Sequence, residues 1–168
     1  MQLIDIDKAR YRKHVKIVFI GCALGLAVGS LALSQTLIAI FPDASGSHFH
    51  WNLLGMVVSV FTIGWLLNKY RQHDFMREVT YVWDLKQALN KINRKMQTLE
   101  AAALEGNRNA LLAIQYSYAG SRLLWQLDDN TLTLDELAIK QCELDRLAEK
   151  FHLSLPVADY DEKMLTEF

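Results

Sequence analysis

The sequence predicts an all-α protein, a two-helix transmembrane hairpin followed by a cytoplasmic helical bundle with a long first helix. Three observations carry that reading. Residues 17–41 and 49–68 contain no Asp, Glu, Lys or Arg, and each is long enough to cross a hydrocarbon core of about 30 Å, which takes roughly 20 helical residues. After residue 69 the apolar positions recur at alternating steps of three and four, the spacing of one helix face. Helix stop and start signals then divide the remainder. The average composition hides this partition. With 22% charged residues and a net charge of −1 the chain looks soluble, yet all 18 Lys and Arg fall outside 17–68, and Asp43 is the one acid of 19 inside.

The N-terminal segment, 1–16, is mixed in charge and begins helical near the membrane surface, where Tyr11 is placed to act as an interfacial aromatic. It carries Lys8, Arg10, Arg12, Lys13 and Lys16, while Lys69, Arg71 and Arg77 follow the second span and the loop 42–48 has no Lys or Arg. Positive charge on short flanks stays cytoplasmic, so both termini are expected inside and the loop outside. A cleaved signal peptide ending near Ala32-Leu33-Ser34 is the rival. The apolar run continues to Phe41, past a usual signal core, and argues against it.

The first span, 17–41, is long enough to tilt. At about 100° per residue, Gly21, Gly25, Gly29, Ala32, Thr36 and Ala39 share one face, away from the bulky leucines. Small residues at this spacing let two helix backbones approach in lipid, where dispersion contacts drive association. The second span, 49–68, offers a shorter counterpart in Asn52, Gly55, Ser59 and Thr62. Gly21, Gly25, Gly29, Ala32, Thr36, Gly55 and Ser59 are therefore the candidate helix-packing interface. A short loop makes the spans antiparallel neighbours. The length of the glycine face favours contact between subunits over contact within the hairpin. Phe41, Phe49 and Trp51 mark the outer interface, Trp65 and Tyr70 the inner one.

The cytoplasmic domain, 69–155, opens with the seam Val82, Leu85, Leu89, Ile92, Met96, Leu99 and Ala103. No Pro or Gly interrupts 69–105, which predicts one long helix, coiled-coil-like in pattern and continuous with the second span. Gly106 fits the left-handed position that ends a helix. A second helix over about 108–127 should bury Leu111, Ile114, Tyr118 and Trp125. Thr133-Leu134-Asp135-Glu136 is a capping box that starts a third helix, reaching about Phe151 with Leu134, Leu137, Leu144 and Leu147 inward. Pro156 ends the regular part, and the acidic tail 156–168 forms a short turn or stays mobile. The stretch 101–120 has the look of one tetratricopeptide-like hairpin, but there is no second copy and such arrays need several.

Sites of chemistry fail on their spacing. Asp128-Asp129-Asn130 is no calcium loop, because Leu132, Thr133 and Ile139 stand where a ligand, a Gly and the final Glu belong. His48 and His50 beside Asp43 are too few for a metal site without further ligands. There is no phosphate loop, nucleophile elbow or CxxC pair. Cys22 and Cys142 read as reduced, buried thiols. No enzyme activity, cofactor or metal is expected. Residues 69–96 carry a net +4 and 97–168 a net −7, so the distal acids can answer Lys86, Lys91, Arg94 and Lys95, and nucleic acid is disfavoured as a partner.

Four strings, LIDIDKARYRKH, GSHFHWNLLG, VWDLKQALNKI and GSRLLWQLDDNTLTLDELA, give the chain its likeness. It resembles, over nearly its whole length, a family of small bacterial inner-membrane proteins of unknown function. The resemblance implies that membrane as the location and no activity, cofactor or active site. The functional expectation is a non-enzymatic membrane-anchored scaffold that self-associates and presents its bundle to a cytoplasmic protein partner. A subunit of an oligomeric channel or transporter is the alternative, weakened by the lack of ionisable Asp, Glu, Lys or Arg at membrane depth.

Overall fold

The computed structural model describes residues 2–41, 46, 48–130 and 134–168. Among them the regular structure is helical: α1 (Lys8–Ile40), α2 (Phe49–Lys69), α3 (Arg77–Asn93), α4 (Met96–Leu104), α5 (Arg108–Leu127) and α6 (Leu134–Lys150), with short 3-10 turns at Asp74–Met76, Val157–Asp159 and Glu162–Glu167. The chain divides into two compact units. One is Ala9–Thr80; the other joins the N-terminal residues through Lys8 to Tyr81–Phe168.

In the first unit α1 and α2 are each long and apolar enough to cross a membrane. Only 6% and 11% of their most apolar windows are buried within the chain. A core helix of a soluble protein would bury most of such a window, whereas these helices leave most of their apolar surface exposed. The loop 42–48, including Asp43 and Ser47, lies outside the described residues except for Gly46 and His48. Helix α2 does not continue into α3. It ends at Lys69, where the Tyr70 N–H bonds the Leu66 carbonyl, and the His73 ring Nδ1 accepts from the Phe75 N–H at 3.2 Å to start the next turn. Side-chain capping of this kind satisfies donors that would otherwise be orphaned and fixes the break. Beyond it, Glu78 accepts from Arg10 at 3.0 Å and lies 3.3 Å from the His14 ring, whose centroid is 4.2 Å from that of Phe75 in a tilted contact. Tyr11, expected at a lipid interface, is buried.

The second unit is organised around α5. Leu111, Leu112, Ala113 and Tyr116 are fully buried, and α4, α6 and both C-terminal turns pack on this helix. The predicted seam holds: Val82, Leu85, Leu89, Ile92, Leu99 and Ala103 are buried, and Met96 half-buried. Two helices carry it, however. The ladder tightens at Arg94–Lys95, where the Lys95 N–H bonds Ile92 rather than continuing the four-residue step. Asn93, a poor helix former, sits at the break. Trp125 is half-buried, not enclosed; Leu124 and Leu127 take the inward positions. Cys142 is exposed, two residues and about 200° round α6 from buried Leu144. Residues 131–133, and with them Thr133 of the capping box, lie outside the described residues.

All three of α4, α5 and α6 end in the same backbone device. The N–H two residues past the cap bonds back across six residues: Asn107 to Ala102, Asn130 to Trp125, and Leu153 to Ala148, at 2.9 to 3.0 Å. This Schellman geometry needs a left-handed residue in between. Gly106 (φ 85°), Asp129 (φ 57°) and His152 (φ 53°) supply it. Gly106 is required twice over, because a Cβ there would lie 2.7–3.0 Å from the Phe151 ring.

The acidic tail is part of this core. Tyr160 and Leu165 are buried, and the Tyr160 ring stacks on Tyr116 at 4.3 Å. Around them Arg108 meets Asp159 at 2.9 Å, Lys91 meets Glu162, Asn109 donates to Glu167, and Lys95 donates to the Leu165 carbonyl at 2.7 Å. Of the bases expected to be answered by distal acids, Lys86 meets Asp128 and Lys91 meets Glu162, while Lys95 goes to a backbone carbonyl instead; Lys8 meets Asp129 from the N-terminal segment. The pairs are exposed and individually weak; the buried tyrosine and leucine hold the tail. Tyr81 ties down the N-terminal strand of chain, accepting from the Ile4 N–H at 2.8 Å and donating to the Gln2 carbonyl at 3.1 Å.

Candidate functional site

The seam between α1 and α2 is where the small residues expected to act are brought together or left apart. On α2, Trp51, Gly55, Ser59 and Ile63 recur every four residues and are the buried or half-buried positions. On α1 the matching face is Val18, Cys22, Leu26, Gly29, Ser30, Ser34 and Leu37. Of the glycines in the two helices, Gly55 is the most tightly enclosed, beside Ser34. A Cβ on Gly55 would lie 2.9 Å from the Ser30 carbonyl oxygen and 3.0 Å from the Ser34 nitrogen, against backbone that cannot step aside. The Ser59 hydroxyl donates to the Gly55 carbonyl at 2.8 Å, so this buried polar group is satisfied within its own helix. A Cβ on Gly29 would lie 3.3 Å from the Ser59 oxygen.

The predicted set is therefore split. Gly29, Gly55 and Ser59 meet inside the hairpin, and Gly25 has a methyl of Ile63 at its margin, 3.7 Å from where a Cβ would stand. Gly21, Ala32 and Thr36 are exposed, and a Cβ on Gly21 would meet nothing within 4 Å. The Thr36 hydroxyl bonds its own helix, at the Ala32 carbonyl. Asn52 and Thr62 of α2 also face outward. The buried face of α1 runs one residue ahead of the glycine stripe, about 100° round the helix, and the two overlap only near Gly29. Ser30 and Ser34 were not singled out by sequence reasoning. Their four-residue spacing was the available signal, and it was hidden by the stronger glycine pattern beside it.

At the loop end, Phe41 stacks on Trp51 at 5.5 Å and His50 lies 4.8 Å from the same ring. At the other end Lys69 Nζ sits 4.9 Å above the Trp65 ring. Among the described residues no three His, Cys, Asp or Glu side chains converge as a metal site would require.

A family model described as a protein of unknown function (DUF3087) matches residues 1–165. The chain belongs to DUF3087. Neither a curated protein nor a solved structure matches it. For DUF3087 the match thus spans both units, hairpin and bundle alike, and function has to be argued from the chain's own surfaces.

Two phenols of the second unit lie above their usual range mainly through burial. Burial, followed by the nearby Tyr81, pushes the Tyr116 phenol up to about 12. Burial, then the charges of Glu162, Tyr116 and Asp161, raises Tyr160 as well. Both hydroxyls are buried without a hydrogen-bond partner. These are stacked core aromatics.

Proposed function

We propose that this protein is a non-enzymatic, membrane-anchored scaffold of the bacterial inner membrane. In this reading α1 and α2 span the bilayer with both termini in the cytoplasm, as the Lys and Arg flanking 17–68 favour. The α3–α6 bundle is displayed there to a protein partner, and copies of the chain associate through α1.

The observation that carries self-association is the uncovered part of the glycine stripe. The hairpin uses a neighbouring face of α1 and leaves Gly21, Ala32 and Thr36 exposed. A second helix of the same kind can approach such a face closely. An oligomeric channel or transporter subunit would need this association and, in addition, a polar lining that 17–41 and 49–68 do not provide with charged side chains.

Cysteine-free cross-linking in native membranes tests the association. Gly21→Leu places bulk where the hairpin has open space, so it spares the fold. Oligomer bands should fall several-fold in Gly21→Leu and persist in Leu24→Ile. A parent chain that is monomeric in lipid, or bands unchanged by Gly21→Leu, would remove self-association from the account.

A further inference from the structure

We infer that the groove between α4 and α6 is the docking site for a basic amphipathic helix of a partner protein. The inference deepens the reading that the bundle is displayed to a protein partner, and rests on it. The groove lies within the second unit, over α5. Its floor is Ala103, Ile114, Leu144 and Leu147, and Glu100 and Glu143 stand on its rims. The volume, about 180 Å³, falls short of the roughly 300 Å³ at which small-molecule sites begin and suits one large apolar side chain.

The floor belongs to the core: Ala103, Ile114 and Leu144 are buried and Leu147 is half-buried. Apolar surface is left uncovered on both sides of it. Leu104, also lining the groove, is 65% exposed, and Ile139 on α6 is 63% exposed. Leu104 lies four residues from Glu100, and Ile139 four from Glu143. Each rim helix therefore sets an exposed aliphatic side chain beside an acid, one turn or about 6 Å apart. A partner helix with Leu and Lys or Arg at the same spacing matches both rims. Strand addition, the other common way to bind a segment, needs an open sheet edge, and the described residues form no strand.

Charge decides the sign of the partner. Among the described residues neither the Glu100 nor the Glu143 carboxylate makes an ion pair or hydrogen bond. Lys140, the cation of this rim, is bonded to Glu136 at 3.2 Å. Both free acids act on the groove: burial first, then Glu100 and Glu143, push the Tyr118 phenol up, against the pull of Lys140. The surrounding stretch 97–168 has six Lys or Arg and thirteen acids, a field that attracts a basic segment. A second copy of this chain is the poorer occupant. Its basic helix α3 already buries its apolar face, Val82, Leu85, Leu89 and Ile92.

The test uses the full chain in phosphatidylcholine nanodiscs, with empty nanodiscs as the blank. The probe is a labelled synthetic helix with Leu at alternating steps of three and four and Lys on both flanks, and anisotropy gives its Kd. The double variant Glu100→Gln, Glu143→Gln should raise Kd about five-fold or more, the loss of two exposed ion pairs. Asp135→Asn with Glu149→Gln removes the same charge from α6 outside the groove and should leave Kd within about two-fold. A probe with Gln for its central Leu should bind about ten-fold more weakly or worse, and one with Glu for every Lys should not bind. No binding by the parent, or equal losses in the two double variants, overturns the site. Photo-cross-linking in growing cells, with p-benzoylphenylalanine replacing Leu104 or the exposed Trp83 of α3, separates this inference from the reading beneath it. A Leu104 adduct with another protein, lost in Glu100→Gln, Glu143→Gln, agrees with the groove. Adducts at Trp83 alone keep the displayed bundle and overturn the groove, and adducts at neither overturn the displayed bundle. A Leu104 adduct with a second copy gives the groove to self-association and overturns the partner helix.

Discussion

Replacing Gly106 by Ala tests the reasoning about the bundle at its sharpest point. The residue sits at φ 85°, between α4 and α5, in the position that closes the α4 Schellman motif. An alanine held in the left-handed region costs about 1–2 kcal/mol. Its restricted unfolded chain returns about 0.4–1 kcal/mol. The new methyl would also stand 2.7–3.0 Å from the Phe151 ring, and overpacking of this kind costs about 1–3 kcal/mol. The net loss should be about 2–4 kcal/mol. Urea unfolding of the full chain in mild detergent, followed by circular dichroism and tryptophan emission, measures it. In a Phe151→Ala background the same substitution should cost only the backbone part, about 1 kcal/mol, since the ring is gone. His152→Gly supplies the opposite sign: the same left-handed geometry at φ 53°, relieved by glycine, should gain about 0.5–1 kcal/mol. A Gly106→Ala variant within about 0.5 kcal/mol of the parent would refute the argument, because neither the backbone nor the ring could then be as described.

Two further outcomes follow from the hairpin and the tyrosine pair. Gly55→Ala should loosen the hairpin by about 1–3 kcal/mol, since its methyl meets Ser30 and Ser34 backbone, whereas Gly64→Ala, with nothing within 4 Å, should change little; thermal unfolding in detergent separates the two, and equal effects would contradict the seam. The stability of the second unit should fall as pH rises from about 10 through 12. Tyr116 and Tyr160 are raised in the fold, so above pH 10 the unfolded chain releases protons that the folded one retains. Melting temperatures at pH 8, 10 and 11.5 read this directly, and Tyr116→Phe, which removes a hydroxyl buried without a partner, should flatten the decline at no cost at pH 8.

How far the sequence revealed this structure differs between its parts. The bundle seam from Val82 to Ala103, the stop at Gly106 and the bounds of α5 follow from local rules, a 3-4 spacing and a left-handed cap, and these rules were sufficient. The break at Arg94–Lys95 was not legible, because no Pro or Gly marks it and the apolar spacing runs straight through. Nor was the docking of the tail. Tyr160 and Leu165 stand among acids, and docking of the tail on α5, with Tyr160 stacked on Tyr116, makes them core. For the candidate interface, the glycine spacing drew attention to one face of α1, while the hairpin uses the face beside it. It could not fix the rotation, since a small-residue face invites any neighbour, and the register against α2 depends on Gly55 fitting beside Ser30 and Ser34. Asp129 and His152 show the same limit: the left-handed cap is set by hydrogen bonds across six residues, and a non-glycine residue there leaves no sequence signal.

Cysteine accessibility in intact cells tests the central claim, a membrane-spanning hairpin with both termini in the cytoplasm. In a background with Cys22→Ser and Cys142→Ser, a membrane-impermeant maleimide should label Ser47→Cys from outside and leave Ser154→Cys unlabelled until the membrane is permeabilised. Labelling of Ser154→Cys in intact cells, with Ser47→Cys protected, would contradict the orientation; labelling of neither before permeabilisation would contradict the crossing itself.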